Sequence, residues 1–258
     1  MKLEIAGKTA IVCASSAGLG KGCAMALAKE GVALVINGRT AETLERTAQE
    51  IRTATGVSVT PVVGNVATPE GRASLLAACP HPDILVNNAG GPPGGDFRRF
   101  SREDWLKAID ANMLAPIEMI KATLDGMIER RFGRIINITS ISVKAPFSSL
   151  GLSNGARSGL TGFVAGVARD IARYNVTINN ILPGSFGTDH LRRQAGAAAR
   201  AGQSADDVLE EWRAGETSGR FGTPDELGMM CAFLCGASSG YITRQNIFLD
   251  GGTYPGTF

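Results

Sequence analysis

The sequence predicts a single-domain α/β fold in which a doubly wound sheet of about seven parallel strands is flanked by helices on both faces. Short, β-branched apolar runs alternate with longer amphipathic stretches along most of the chain, which is typical of β-α-β units. Most of the short runs are apolar throughout, as expected for strands that are covered on both faces. The length of 258 residues suits one large domain, and neither a linker nor an internal repeat is apparent.

Apolar runs define the expected strands, and caps define several helix starts. Thr40 precedes the predicted helix Ala41–Thr55, and Ser101 precedes an apolar-periodic stretch that reaches about Arg131. Residues 183–221 are irregular, with only weak helix patterns, and a long excursion at the carboxyl edge of such a sheet usually covers a ligand. The strands are expected at Thr9–Cys13, Ala33–Asn37, Val57–Val63, Ile84–Asn87, Arg134–Ile138, Val176–Leu182 and Asn246–Leu249.

Composition excludes several classes of protein. With 44% apolar and 19% charged residues the chain is not disordered, and a net charge of +2 creates no field that would attract nucleic acid or an anionic membrane. No apolar run reaches the roughly 18 residues of a membrane span. The N-terminus lacks a secretion signal and the five cysteines form no C-x-x-C pair, so we expect a cytoplasmic protein with reduced thiols. Two histidines and scattered cysteines favour no metal site.

A glycine turn follows the first strand. The chain has 33 glycines where average usage of about 7% would give roughly 18. Residues 14–20 read Ala-Ser-Ser-Ala-Gly-Leu-Gly and lead into a predicted helix, Lys21–Glu30. Such a turn presents backbone N–H groups to a phosphate at the helix N-terminus, although Cys23 breaks the strict G-x-G-x-x-G pattern. The position favours a dinucleotide site over an ordinary strand–helix turn.

The end of the second strand indicates which dinucleotide binds. A cofactor with a free ribose 2′-hydroxyl would favour an acid here, but the chain has Asn37-Gly38-Arg39-Thr40. A guanidinium suits a bidentate contact with phosphate, so Arg39 favours the 2′-phosphorylated cofactor NADP(H) over NAD(H). The alternative is a solvated arginine in a loop.

These motifs together resemble the short-chain dehydrogenase/reductase family over essentially the whole chain. The glycine turn is similar to the family's T-G-x-x-x-G-[IL]-G, with Cys13 and Ala14 in place of its Thr and first Gly. The segment 87–90 matches N-N-A-G, 133–140 resembles the fifth strand and active-site serine, and 179–188 matches N-x-x-x-P-G-x-x-x-T. Residues 219–226 and the Asp-Gly-Gly end at 250–252 resemble the C-terminal third.

The resemblance implies a Rossmann-type domain spanning residues 1–258, with 183–221 as the substrate-covering segment. It is similar in particular to 3-oxoacyl-[acyl-carrier-protein] reductase-like members with atypical motifs, and it implies a cytoplasmic homodimer or homotetramer. The implied catalytic positions are Asn112, Ser140, Ser153 and Arg157. The implied cofactor contacts are Ala14, Ser15, Ser16, Gly18, Leu19, Gly20, Gly38, Arg39, Asn65, Val66, Asn88, Ala89, Gly90, Arg157, Pro183, Gly184 and Thr188.

The catalytic motif departs from the family. A Tyr-x-x-x-Lys follows the active-site serine by about thirteen residues in the family, and here those two positions hold Ser153 and Arg157. A serine hydroxyl is a far weaker acid than a tyrosine of pKa about 10, and general acid catalysis is worth roughly 10²–10⁴ in rate. Arg157 can still hydrogen-bond the nicotinamide ribose, but it stays charged and cannot pass on a proton. Asn65 likewise replaces the acid of the family's adenine pocket.

Several functions remain open from the sequence. Another proton donor, Lys144 or His190, would preserve NADP(H)-dependent transfer of hydride to a carbonyl or from an alcohol, and a water relayed by Ser140 and Ser153 is a third route. Without a donor, the chain would be a cofactor-binding sensor or scaffold. Non-redox chemistry such as dehydration or epimerisation is a further alternative.

Charge and glycine spacing bear on the substrate and on assembly. Arginines at 98, 99, 192, 193, 200 and 213 favour an anionic substrate such as a carboxylate or an acyl thioester, unless nearby acids neutralise them. The predicted helix Ser153–Tyr174 contains two i,i+4 glycine pairs, Gly155/Gly159 and Gly162/Gly166, which would let a neighbouring backbone approach closely. That neighbour is either part of the same chain or a second subunit.

Overall fold

The computed structural model describes residues 2–257 and contains one seven-stranded parallel sheet of order β3-β2-β1-β4-β5-β6-β7. Two of the expected strands have the observed bounds, and the others differ by one or two residues at an end. The strands are β1 Thr9–Val12, β2 Ala33–Gly38, β3 Val59–Val63, β4 Ile84–Asn87, β5 Gly133–Ile138, β6 Val176–Pro183 and β7 Asn246–Leu249. The order doubles back after β3, so the carboxyl ends of β1 and β4 meet at a topological switch point, where ligands of such sheets bind.

Helices cover both faces of the sheet and divide the core into two clusters. One cluster joins α1, α2 and α9 to the sheet, and it buries Cys23, Cys231 and Cys235 as small core side chains. The other joins α3, α5 and α6. The predicted doubly wound architecture is therefore confirmed. The helices are α1 Gly18–Lys29, α2 Ala41–Thr55, α3 Pro69–Ala78, α4 Arg102–Ile109, α5 Ala115–Glu129, α6 Gly151–Ile171, α7 Asp189–Ala198, α8 Ala205–Gly215 and α9 Pro224–Cys235.

The long helix expected after Ser101 is interrupted. Ser101 does begin α4 with a capping box, but a single π-helical turn, Asp110–Leu114, separates α4 from α5. The extra residue in a π turn rotates the following side chains relative to an α-helix, and such turns are common at functional sites. Asn112 lies in this turn, so the interruption decides where its side chain points.

The covering segment, residues 183–221, is more ordered than expected. It contains two helices, α7 and α8, whose first turns are capped by Thr188 and Ser204. Their sequence patterns are weak because each helix buries little: Ala195 and Val208 are the buried residues of α7 and α8. A helix that packs on one side against a neighbouring helix shows only a narrow apolar stripe.

Helices α1 and α9 cross at unusually short range. A Cβ on Gly22 would overlap the carbonyl oxygen of Pro224, and a Cβ on Gly228 would overlap that of Gly22. Only glycine permits the two backbones to approach so closely. The crossing holds the start of α9 against the helix that follows the glycine turn.

Candidate active site

The N-terminus of α1 is open to an anion. Its N-cap residue is Ala17, which offers no side-chain acceptor, so the first N–H groups of the helix are not capped by a side chain. Gly18 has a φ of +56°, and a Cβ built on it would lie 3.6 Å from Cγ2 of Thr188. Free N–H groups at the positive end of a helix form the usual site for a phosphate. The geometry therefore fits the predicted dinucleotide.

The side chains of Ser15, Asn37 and Asn88 hold the glycine turn in place. Ala14 adopts a left-handed φ of +46° at the position where the family pattern has glycine. Its carbonyl oxygen accepts a hydrogen bond from Nδ2 of Asn88 at 3.0 Å, and its N–H donates to Oδ1 of Asn37 at 3.4 Å. The hydroxyl of Ser15 donates to the carbonyl of Val12 at 2.7 Å. Asn37 and Ser15 thus shape the turn, a role that the sequence did not reveal.

Residues at the ends of β2 and β3 lie where the adenosine half of a dinucleotide would reach. Arg39 is exposed, with no ion pair to another residue in the described part of the chain. Gly38 packs so closely that a Cβ on it would lie 2.9 Å from Cβ of Ser16. Oδ1 of Asn65 accepts a hydrogen bond from the Ala67 N–H at 3.1 Å, and Val66 is buried. Arg39 is therefore free to meet a phosphate.

An asparagine ladder crosses four neighbouring strands, β4 to β7. Nδ2 of Asn87 donates to Oδ1 of Asn137 at 2.9 Å, Asn137 donates to Asn180 at 3.0 Å, and Asn180 donates to Asn246 at 2.8 Å. These four residues are also register partners in β4 to β7. The ladder therefore adds side-chain hydrogen bonds to the backbone pairing of β4 to β7.

The asparagine of the π turn is buried beside the site. Asn112 is 3% exposed, and its Nδ2 donates to the carbonyl of Ala108 at 3.3 Å. Its Oδ1 has no hydrogen-bond partner among residues 2–257. A buried, unpaired oxygen costs free energy, so such an atom points to a ligand or a water.

Helix α6 presents the two substituted positions. Ser153 and Arg157 lie one turn apart and are 7% and 8% exposed. Nη1 of Arg157 donates to the carbonyl of Ile138, at the end of β5, over 2.7 Å. Burial lowers the pKa of Arg157 to about 10, which leaves the guanidinium charged at neutral pH. Ser140, two residues beyond Ile138, accepts a hydrogen bond on Oγ from the Ser142 N–H at 3.1 Å.

The two alternative proton donors differ in position. Lys144 is exposed on the loop after β5. His190, the second residue of α7, reaches the loop after β4: a Cβ built on Gly91 would lie 3.3 Å from Nε2 of His190 and 4.0 Å from Nη2 of Arg157. Partial burial, and then the charges of Arg193 and Arg157, lower the pKa of His190.

The covering segment folds back over the turn. Gly184 follows Pro183 at the end of β6, and a Cβ on Gly184 would lie 2.9 Å from Cα of Asp250. Beyond it, Oγ1 of Thr188 caps α7 by accepting from the Leu191 N–H at 3.3 Å. A cleft of about 880 Å³ extends from the turn under this segment, and Ser16, Gly18 and Thr188 are among its lining residues. Ala89 and Gly90 form the loop after β4, next to Gly91.

Three of the six arginines proposed to attract an anionic substrate are neutralised within the protein. Arg192 pairs with Asp206 at 2.7 Å, Arg213 pairs with Glu210, and Arg98 pairs with Asp96 at 2.6 Å. The covering segment is therefore largely the solvated, self-compensating surface that the nearby acids predicted as the alternative. Arg157 and Arg193 are the cations that act on the site, through His190.

Comparison with known proteins decides the family. A short-chain dehydrogenase model described as Enoyl-(Acyl carrier protein) reductase matches residues 13–254. The chain belongs to the short-chain dehydrogenase/reductase family. It is 33% identical over 258 residues to the 3-oxoacyl-[acyl-carrier-protein] reductase FabG of Vibrio cholerae, covering 98% of this chain and 99% of that one.

Solved structures agree in fold over nearly the full length. The L-sorbose reductase of Gluconobacter frateurii, solved with NADPH and L-sorbose, superposes with a TM-score of 0.93 at 28% identity, covering 99% of this chain and 100% of that one. Actinorhodin polyketide ketoreductase, solved with NADPH, gives a TM-score of 0.89 at 28% identity, covering 95% and 97%. The Rossmann-type fold expected for this short-chain dehydrogenase/reductase is confirmed.

Two other features, a metal centre and a membrane-spanning helix, can be checked against the described residues. Within residues 2–257 no three His, Cys, Asp or Glu side chains are grouped to hold a metal ion. The same residues contain no helix that is long and apolar enough to cross a membrane.

Proposed function

We propose that this protein is an NADP(H)-dependent oxidoreductase that moves a hydride between the cofactor and a carbonyl or alcohol substrate, with a non-standard proton donor. The observation that carries the proposal is the N-terminus of α1, which follows the glycine turn and has no side-chain cap. Thr188 lies close to Gly18 at this point. Free N–H groups at this point of a parallel sheet are suited to a pyrophosphate and to little else.

The residues that would hold the cofactor follow the edge of the sheet. The turn binds the pyrophosphate, Asn65 and Val66 flank the adenine, and Arg39 meets the 2′-phosphate. The nicotinamide end of the cofactor is bound by residues 88–90, by Arg157 and by the segment from Pro183 to Thr188. When bound, the cofactor supplies or accepts a hydride at its nicotinamide ring. The exposed, unpaired Arg39 supports NADP(H) over NAD(H).

The catalytic positions orient and polarise the substrate. Ser140 and Ser153 each have a hydroxyl that donates a hydrogen bond to the substrate oxygen. Arg157 is buried, charged and unpaired with any acid in the described chain, so it stabilises negative charge that develops on that oxygen. Asn112 keeps a free buried oxygen at the same edge. These groups favour hydride transfer but do not themselves supply a good acid.

A 3-oxoacyl substrate is the first candidate. The FabG of Vibrio cholerae is by name a 3-oxoacyl-[acyl-carrier-protein] reductase and covers nearly the whole chain. Phe97 and Phe147, on the loops after β4 and β5, are 63% and 47% exposed and offer an apolar surface to an acyl chain. A small polyol or ketose is the second candidate, because the L-sorbose reductase has the same fold over the full length.

A cofactor-binding sensor or scaffold is the alternative from another class. It is favoured by the serine at position 153, because loss of the tyrosine removes the family's proton donor. The two functions differ in turnover and not in binding, so a single pair of measurements separates them.

The test begins with cofactor binding. NADPH fluorescence is titrated with wild-type protein and Arg39→Ala. We expect the variant to bind NADPH roughly tenfold or more weakly, because a charge-assisted hydrogen bond to phosphate is lost, and to bind NADH as before. Unchanged fluorescence with wild-type protein would contradict the proposal.

Turnover is then measured against 3-oxoacyl thioesters, diketones, aldehydes and ketoses. Oxidation of NADPH with at least one class is the expected result. The double variant Ser153→Tyr, Arg157→Lys is the matched comparison, and a large gain in rate would show that the rest of the site is intact. Binding without turnover in both proteins would favour the sensor or scaffold.

We also propose a homo-oligomer in the cytoplasm. All five cysteines are free and buried, which suits a reducing compartment.

A further inference from the structure

The imidazole of His190 lies beside the guanidinium that replaces the family lysine. Both side chains reach the same point above Gly91: Nε2 of His190 comes within 3.3 Å of a Cβ built there, and Nη2 of Arg157 within 4.0 Å. Arg157 comes from α6 and His190 from α7, so the covering segment delivers a titratable group to the substituted catalytic positions.

We propose that His190 exchanges the proton with the substrate oxygen, the task for which Ser153 is too weak an acid. The inference rests on the proposed oxidoreductase function and names its missing donor. Lys144 and His190 are both exposed as residues, so exposure does not separate them. Nε2 of His190 lies at the loop that follows β4, near Nη2 of Arg157, whereas no hydrogen bond or ion pair within residues 2–257 joins the Lys144 ammonium group to the catalytic positions.

The step balances without another reactant. In alcohol oxidation, neutral Nε2 of His190 takes the hydroxyl proton while the C–H bond gives its hydride to NADP⁺, and the C–O single bond becomes a carbonyl. The imidazolium then releases its proton to solvent. In reduction, the imidazolium gives its proton to the carbonyl oxygen as the carbon accepts the hydride of NADPH. The neighbouring Arg157 stabilises the negative oxygen in either direction.

The surroundings of His190 determine its pH dependence. The charged groups that act on it are Arg193 on its own helix and Arg157 on α6, and partial burial adds to their effect. All three lower its pKa below the usual value of about 6.5, so the neutral base predominates at pH 7. Oxidation therefore rises with pH through this pKa and then levels off, whereas reduction falls with rising pH over the same interval.

The decisive variant is His190→Gln, which keeps a polar side chain of similar reach but cannot carry a proton. We expect kcat to fall by about 10²–10⁴, with the affinity for NADPH unchanged within about twofold. The limb below pH 6.5 disappears from the pH profile, and added imidazole restores part of the rate. His81→Gln is the matched control: His81 is exposed between α3 and β4, and its loss leaves kcat unchanged.

A spectroscopic readout does not depend on activity. His81 and His190 are the two histidines of the chain, so in His81→Gln protein one imidazole resonance remains. Proton NMR should show it titrating below pH 6.5, moving when NADPH binds, and titrating at a higher pH in Arg157→Gln. A resonance that titrates near pH 6.5 and responds neither to NADPH nor to Arg157→Gln would contradict the position of His190 beside Arg157 and the cofactor.

Failure of this inference is distinct from failure of the proposed function. If NADPH turnover survives His190→Gln with its pH profile intact, or if Lys144→Met and not His190→Gln abolishes it, the function stands and His190 is not the donor. If wild-type protein binds NADPH and turns over no substrate of the panel, both proposals fail.

Discussion

At the scale of single residues, the glycine turn is held together by groups that are unusual for it. Ala14 adopts a left-handed backbone although it carries a Cβ, and it is held there by hydrogen bonds to Asn37 and Asn88. A non-glycine residue in this region costs roughly 1–2 kcal/mol. The turn therefore stores strain next to the proposed phosphate site.

Ala14→Gly should relieve this strain. We expect the free energy of unfolding to rise by about 1 kcal/mol. Glycine has no steric strain at this left-handed φ, and the relief of that strain outweighs the extra conformational entropy that glycine loses on folding. Urea denaturation of both proteins measures the difference. Ala17→Gly is the control, since Ala17 has an extended φ of −162° and gains nothing from glycine. Equal effects of the two substitutions would contradict the explanation.

Arg134 shows how a charge can be buried without an acid. It is 0% exposed in β5, and its guanidinium donates to the carbonyls of Gly133, Asn175, Gly236 and Ala237 and to Oδ1 of Asn175. Burial lowers its pKa. With its donors satisfied, the side chain ties the end of α9 to the sheet.

At the scale of secondary-structure elements, the crossing of α1 and α9 positions the glycine turn. Gly22 and Gly228 allow the helix backbones to touch, and the capping box of Thr223 and Glu226 starts α9 at the same place. The ion pair with Arg220, and the hydrogen bonds of the box, lower the pKa of Glu226 to about 2. The box therefore keeps its carboxylate charged throughout the physiological range.

Gly228→Ala tests the crossing. The new methyl group would overlap backbone and not a mobile side chain, so we expect a loss of about 1–3 kcal/mol in unfolding free energy and weaker NADPH binding. The control is Gly196→Ala in α7, where the nearest atom to a Cβ is 3.9 Å away. That change should stabilise the protein by up to about 1 kcal/mol, as alanine favours a helix interior. A harmless Gly228→Ala would argue against a close crossing.

At the scale of the whole molecule, the two glycine pairs of α6 have different neighbours. A Cβ on Gly155 would lie 3.2 Å from the ring of Trp105, and one on Gly159 would lie 2.6 Å from Sδ of Met113. Gly162 and Gly166 face open space. The first pair therefore admits α4 and the π turn of the same chain, and the second pair supports the proposal that another subunit packs here.

Two exposed leucines lie on the elements that pack against α6. Leu106 on α4 and Leu114 in the π turn are 41% and 43% exposed. Exposed apolar side chains of this kind are often buried in homo-oligomers, which supports the proposed assembly.

Gly166→Arg should disrupt the assembly. We expect wild-type protein at micromolar concentration to elute with the mass of a dimer or tetramer in light scattering, and the variant to be smaller, because a long charged side chain blocks close helix packing. Gly215→Arg, at the end of α8 and also in open space, should leave the mass unchanged. A monomeric wild-type protein would contradict the predicted homo-oligomer.

The sequence by itself determined where the strands lie along the chain, that they form a parallel sheet, and that a glycine turn follows the first of them. Runs such as Ile84–Asn87 are recognisable because a strand that is buried on both faces is apolar at consecutive positions. The helix cap at Ser101 is equally local, because the two residues of its capping box, Ser101 and Asp104, are three positions apart. The family motifs identified the candidate site positions, which remain predictions.

Only the tertiary structure brought distant residues together. His190 and Arg157 are 33 positions apart in the sequence, and both side chains come near Gly91 only because α6 and α7 are placed there by the fold. The neutralisation of Arg192 by Asp206 and the close approach of Gly22 to Gly228 depend in the same way on the packing of whole helices. Periodicity reports which side of an element is buried, whereas the partner that buries it is settled only when the chain has folded.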